Sequence, residues 1–223
     1  MFCAIIVAAG SARRAGFDKL AAPLAGLPVL AHSVRAFAEA GVQRIVVVCP
    51  EARWQALRPW DYAPGTETQR VEGGAQRQDS VLAGLQALPA AASWVAVHDA
   101  ARPLITPEGI RKCLSAAQEH GGAAACAHPV VDTLKRASAS ACTLPEHVSR
   151  DSLWGMETPQ IFRADLLRRA YEEVQLRRAE VTDEVSALEL LGVSTRLVQV
   201  GANMKITLPG DLELAELLIT HFH

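Results

Sequence analysis

The sequence predicts an α/β protein: a Rossmann-like, mostly parallel sheet with helices on both faces and a protruding β-arm. Three observations carry that expectation. Short runs dominated by apolar residues recur at Phe2–Val7, Arg44–Cys49, Trp94–Val97 and Ala123–Ala127. Apolar throughout rather than alternating is the pattern of strands covered on both faces, the usual case in a parallel sheet. Between these runs lie segments with apolar residues at helical spacing, joined by short connections, the rhythm of strand and helix in alternation.

Taken in order, Phe2–Val7 (FCAIIV) is a central strand that opens into the small residues Ala8-Ala9-Gly10-Ser11-Ala12 and then the cations Arg13, Arg14 and Lys19. Leu27–Ala40 has helical periodicity and stops at Gly41, a residue suited to ending a helix. Arg44–Cys49 is the second strand, closed by Pro50. Glu51–Leu57 is a short helix and Pro59–Gly65 a turn. Gln69–Glu72 is a weaker strand leading into Gly73-Gly74. Asp79–Leu88 is helical and Trp94–Val97 a third strong strand. Ile110–Glu119 is a helix stopped by Gly121-Gly122, and Ala123–Ala127 is a fourth strand.

The alternation breaks between His128 and Leu153, where β-branched residues and turn signals replace the helical period. This segment, about 128–153, reads as a β-hairpin arm with too little apolar material for a core of its own. Arg163–Val174 and Asp183–Leu191 return to helix, Thr195–Val200 to strand, and Pro209–Ile219 forms a closing amphipathic helix. With no repeat and no linker, the 223 residues read as one domain carrying an arm.

Composition narrows the function. A formal net charge of −2 lacks the basic excess of a general nucleic-acid binder, so none is expected. Five cysteines in no CxxC spacing, with Cys3, Cys49 and Cys126 in or beside apolar runs, fit a reducing, cytoplasmic setting and give no zinc site. No run is long enough for a membrane span.

In an open α/β sheet, ligands bind beyond the carboxyl ends of the strands. Four segments there carry chemistry: the small-residue loop with its cations, Gly73–Ser80, His98–Pro103, and Ala202–Lys205. The first can hold a polyphosphate on free backbone N–H groups and fixed positive charge, or be a tight turn with surface cations. Asp99 can hold a magnesium ion beside substrate phosphates, or brace the next loop. Arg102 can clamp a phosphate or pair with a carboxylate, and Ser80, at a helix start, can be simply an N-cap. Lys205, in a strand-like patch beside Asn203, points into the same cleft. There is no GxSxG, no HExxH, and no ligand spacing among the seven histidines; His98 can simply support the loop that carries Asp99.

The stretches AAGSARR, EGGAQRQDSVLAGL, VHDAARP, PVVDTLKR, SRDSLW, ETPQIF, TDEVSALE and NMKIT, in that order over nearly the whole chain, resemble the 2-C-methyl-D-erythritol 4-phosphate cytidylyltransferases. The resemblance implies conversion of CTP and the sugar-alcohol phosphate to the CDP-linked product and pyrophosphate, in isoprenoid precursor biosynthesis, with Mg²⁺ held mainly by the CTP phosphates. It implies that Arg14, Lys19 and Lys205 stabilise charge on the α-phosphate. Ala8, Ala9, Gly10, Gly74, Ala75 and Ser80 would then form the surface that reads cytidine, and Asp99, Ala100 and Arg102 the loop between nucleotide and sugar phosphate. Thr133 and Arg150 would reach the partner's site on an arm exchanged between two subunits, and Thr158 would complete the sugar-phosphate pocket, to which Lys205 also contributes.

Two departures stand out. Asp18-Lys19-Leu20 replaces the usual Pro-Lys-Gln in a short loop, and Ala75 stands where an acidic residue is common. The related ribitol-phosphate cytidylyltransferases share the fold and the glycine-rich start but vary at the later stretches. A dinucleotide-dependent oxidoreductase would need G-x-G-x-x-G after the first strand, which is missing. A non-catalytic nucleotide-binding subunit would share the fold without needing every cation.

Overall fold

The computed structural model describes residues 1–10, 18–138 and 141–222. Strand β1 (Phe2–Val7) leads, after the 11–17 segment, to a small hairpin of β2 (Pro23–Leu24) and β3 (Leu27–Pro28), turned at Ala25 and Gly26 with positive φ. Helix α1 (Val29–Glu39) follows, so the expected helix start at Leu27 belongs instead to this hairpin. Strand β4 (Arg44–Val48), α2 (Glu51–Leu57) and a 3-10 turn at Pro59–Tyr62 lead to β5 (Glu67–Val71). Then come α3 (Arg77–Gln86), β6 (Trp94–Asp99), α4 (Pro107–Glu119) and β7 (Ala123–Pro129). Thr106 caps α4 by accepting the Gly109 N–H at 3.1 Å, with Pro107 at the first helical position.

Within the 128–153 segment the expected hairpin forms over 134–148, while His128 and Pro129 still belong to β7. Strand β8 (Leu134–Ser138) pairs antiparallel with β9 (Ala141–Val148) in a sheet of their own. After it, β10 (Trp154–Arg163) is the longest strand of the described residues, and α5 (Ala164–Arg177), α6 (Glu184–Glu189), β11 (Arg196–Val198) and α7 (Pro209–Phe222) complete the fold.

The main sheet runs β11-β7-β10-β6-β1-β4-β5. Neighbours pair in parallel except around β10, which is antiparallel to both β6 and β7. The sheet is therefore mostly parallel with one reversed strand near its centre. That strand lacks the apolar run of the others because Glu157, Thr158 and Gln160 are buried in it with specific partners.

The pleat of β1 sorts its side chains between two cores. Phe2, Ala4, Ile6 and Ala8 pack toward α1 and α4, with Ala215 of α7 on the same side. Cys3 and Ile5 face α3, α5 and α6 through Val81, Leu85, Leu167, Tyr171 and Leu188. Both faces are covered, which is what the unbroken apolar runs required. Gly84 lets α3 sit close: a Cβ there would come 2.5 Å from Ile5 Cγ2 and 3.1 Å from Val48 Cγ2. Cys3, Cys49, Cys113 and Cys126 are free and buried; burial pushes the Cys49 thiol up to about 11, so it packs as a hydrophobe.

Candidate active site

The carboxyl ends of β1, β6 and β5 bring the expected loops together. Ala8 continues β1, donating its N–H to Val48 O at 2.8 Å, while its carbonyl accepts from Arg53 Nη1. Both of its backbone groups thus have partners inside the protein. Ala9 touches the second loop directly: a Cβ on Gly73 would lie 2.4 Å from Ala9 Cβ and 3.0 Å from Ser80 Oγ. Only glycine permits this contact between the two loops. Gly10 ends the described part of the first loop and is exposed. Arg14 lies outside the described residues.

Ser80 is not the N-cap of α3. The helix begins at Arg77 with Gln76 as its cap, whose N–H donates to Asp79 Oδ2 at 2.9 Å. Ser80 is one turn inside, buried, accepting the Gly74 N–H at 3.1 Å and donating to Gln76 O at 3.2 Å. It holds the 73–76 loop in shape from behind, leaving Gly74 and Ala75 on the exposed side.

Asp99 is the last residue of β6 rather than the first beyond it, and its side chain is almost wholly buried. Its Oδ1 accepts from Arg77 Nε at 3.1 Å and its Oδ2 from Lys205 Nζ at 2.6 Å. Burial alone would raise its pKa, but Arg77 and Lys205 outweigh that and hold the carboxyl well below the usual range. Its backbone N–H donates to Thr158 Oγ1 at 3.0 Å, and that hydroxyl donates in turn to His98 Nδ1, 3.1 Å away. His98 Nε2 then donates to Arg102 O at 3.2 Å. Buried in full, with its pKa lowered to about 3 chiefly by desolvation, His98 is neutral and structural.

The Thr158 hydroxyl is thus engaged between Asp99 and His98. In that position it sets the backbone of Asp99. The turn beyond begins with Ala100, whose N–H donates to Val7 O at 3.1 Å and ties β6's exit to β1.

Residues 203–206 are irregular rather than strand-like, since β11 ends at Val198. They are fastened along the 99–102 turn instead. Arg102 Nη1 donates to Asn203 O at 2.8 Å and its Nη2 to Met156 O at 3.3 Å, while Ile206 N donates to Ala101 O at 2.8 Å. Arg102 is therefore neither paired to a carboxylate nor wholly free for a phosphate; its fork braces the segment that carries Lys205. Asn203 Nδ2 reaches Glu157 Oε2 and Thr158 O, each at 2.8 Å.

Lys19 arrives at the same place from the first loop, donating to Ile206 O at 2.9 Å. Two of the three expected cations thus flank one short segment. Asp18, the unexpected carboxylate beside Lys19, turns to Arg53 Nη2 at 3.2 Å and accepts the Leu20 N–H at 3.2 Å.

Thr133 and Arg150 meet elsewhere. They line a cavity of about 270 Å³ on the arm with Leu134, His147, Val148, Ser149 and Asp151. Among the described residues the arm's hydrogen bonds stay within itself and its root, including Arg150 Nη1 to Val131 O and Val130 N to Leu153 O. None joins it to Asp99 or Lys205 of the same chain.

Among the described residues there is no cluster of three or more His, Cys, Asp or Glu able to hold a metal. The donor set fits Mg²⁺ in one way: a single ionised carboxylate, here Asp99, is a sufficient protein share where substrate phosphates supply most ligands. Sequence reasoning gave no role to Arg53, Arg77, Glu157 or Glu184. Arg77 and Glu184 lay in stretches already noted, EGGAQRQDSVLAGL and TDEVSALE, but a pairing across 107 residues leaves no local signal.

The sequence profile described as IspD, 2-C-methyl-D-erythritol 4-phosphate cytidylyltransferase, matches residues 2–221. Proteins of that description from Klebsiella pneumoniae and Azoarcus sp. are 41% and 42% identical, each over 98% of this chain and 93% and 94% of the relative. The crystal structure of the Thermus thermophilus protein of the same description has a TM-score of 0.79 at 32% identity, covering 99% of this chain and 100% of its own. The Francisella tularensis structure gives 0.82 at 28%, covering 97% and 98%.

Proposed function

We infer how this site works from one premise: the chain belongs to the 2-C-methyl-D-erythritol 4-phosphate cytidylyltransferase family. It is a nucleotidyltransferase that joins CTP to 2-C-methyl-D-erythritol 4-phosphate, giving 4-diphosphocytidyl-2-C-methyl-D-erythritol in isoprenoid precursor synthesis. An oxygen of the sugar phosphate attacks the α-phosphorus of CTP, a new P–O bond forms, and the bond to the β-phosphate breaks to release pyrophosphate.

The attacking phosphate is already anionic near neutral pH, so alignment and charge stabilisation are what the protein must supply. The observation that carries this reading is Asp99 bracketed by Arg77 and Lys205. A carboxyl held that far below its usual range is a poor proton acceptor, and its fixed charge instead orients an ammonium. We assign stabilisation of charge on the α-phosphate to Lys205 and Lys19 and, from the family resemblance alone, to Arg14. Bound Mg²⁺ would neutralise and orient the triphosphate; Asp99 is the residue to contact it, directly or through water. The 73–76 loop, shaped by Ser80, faces the cytosine.

The arm supports a homodimer with shared sites. Its Val131 and Leu153, and Trp154 at its root, are 75%, 38% and 37% exposed, and among the described residues Thr133 and Arg150 make no hydrogen bond with their own chain's Asp99 group. Exchange of the arm would carry both residues to the partner's sugar phosphate. No described helix is long and apolar enough to cross a membrane.

Pyrophosphate release tests the substrate reading. CTP with 2-C-methyl-D-erythritol 4-phosphate should far exceed both UTP with the same acceptor and CTP with ribitol 5-phosphate. A site that hydrogen-bonds a base edge rejects the wrong edge by leaving buried polar groups unpaired. Comparable kcat/KM for UTP would remove the cytidine assignment, and comparable kcat/KM for ribitol 5-phosphate would remove the acceptor assignment.

A further inference from the structure

Arg77 opens α3 directly after the 73–76 loop, and Glu184 opens α6, which packs with α3 and α5 on the same face of the sheet. The Arg77 guanidinium forks Glu184, Nη1 to Oε1 at 2.7 Å and Nη2 to Oε2 at 3.1 Å, while its Nε holds Asp99 Oδ1. Glu184 is wholly buried and also accepts the Tyr171 hydroxyl at 3.2 Å. Next to it, Gln160 Oε1 accepts the Glu184 and Val185 N–H groups, fixing the start of α6. Burial would lower the pKa of Arg77, but Glu184 and Asp99 reverse that and raise it. One cation thus answers two carboxylates, which leaves it no net charge to offer a phosphate.

The Asp99 carboxylate has only Arg77 and Lys205 as hydrogen-bonding side chains among the described residues; Thr158 holds its backbone. Without Arg77, the carboxylate could turn with the flexible lysine. We propose that Arg77, anchored by Glu184 and Tyr171, is a positioning residue of the transfer reaction. It fixes the Asp99 carboxylate, which in turn aims Lys205 at the α-phosphate, and it touches neither substrate. This rests on the reading of Lys205 given above. Because Arg77 begins the helix that follows the 73–76 loop, it also ties the nucleotide-facing loop to the reacting cation.

The test compares Arg77→Lys and the double variant Arg77→Gln/Glu184→Gln with wild type, using Lys205→Ala as reference and thermal melting to establish folding. Lysine keeps a cation over Glu184 but cannot fork it and reach Asp99 together; the double variant removes the buried ion pair as a unit. Both should fold. Both should lose about 10- to 100-fold in kcat, the scale of misplacing a reacting group by about 1 Å, with KM for CTP little changed. Folded variants with wild-type kcat, or with a loss confined to KM, would overturn the proposal. So would failure of both to fold, since the network would then hold the fold and not the site. Full turnover by Lys205→Ala would instead bring down the reading beneath it. A defective Lys205→Ala beside intact Arg77 variants removes Arg77 alone.

Discussion

At the scale of single residues, the site depends on groups whose charge state is fixed by their neighbours. His98 is neutral because it is buried between Thr158 and Arg102 O, and that has a consequence for stability. The unfolded chain takes up a proton on this residue near pH 6.5, while the folded protein resists down to about 3. The folded pKa is the lower, so stability rises with pH across that window and falls on acidification from about 6.5. The slope from this one group approaches roughly 1.4 kcal/mol per pH unit. Urea unfolding of wild type and His98→Asn between about pH 4 and 7 should show the shallower dependence in the variant; parallel slopes would count against a neutral buried imidazole. The sequence showed that Asp99, Arg102, Lys19 and Lys205 belong at one edge, because each follows a strand. It did not show that Thr158 and Arg102 work inward. Whether a hydroxyl or guanidinium faces a ligand or a carbonyl is decided by the backbone that crosses it, here 156–158 and 203–206, and not by local pattern.

At the scale of elements, the two loops at the ends of β1 and β5 work as one surface because Gly73 lets Ala9 approach. Gly73→Ala would place a methyl 2.4 Å from Ala9 Cβ, and overpacking of this kind costs about 1–3 kcal/mol. Spent on the displaced loops, that is roughly a 5- to 150-fold rise in KM for CTP, with KM for the acceptor little changed. Isothermal titration with CTP would check it; unaltered affinity would mean that the loops do not meet around the nucleotide. Strands β1, β4 and β6 were legible because burial on both faces demands unbroken apolar runs. Strand β10 was not, since its buried Glu157, Thr158 and Gln160 look like loop residues until Asn203, His128 and Asp183 are placed against them. The hairpin of β2 and β3 was hidden for another reason: two-residue strands carry no period.

At the scale of the whole molecule, the alternating order of elements gave the architecture and the break at 128–153 gave the arm. Neither periodicity nor composition can say where an arm's residues act, because no local pattern records which surface an arm meets. If Arg150 serves the partner's site, mixing Arg150→Ala with Lys19→Ala should restore activity beyond the mean of the parents. One site in each mixed dimer then has both residues intact. Activity no greater than that mean, after confirmed subunit exchange, would keep the arm within its own chain.

The central claim is that Lys205, aimed by Asp99, stabilises the charge that develops on the α-phosphate. The most direct measurement is the turnover number of Lys205→Ala with both substrates saturating and Mg²⁺ present. Its kcat should fall by about 10²-fold or more, the scale of removing one preorganised charge donor, while thermal melting stays close to wild type. Turnover near the wild-type value in a folded Lys205→Ala protein would contradict it.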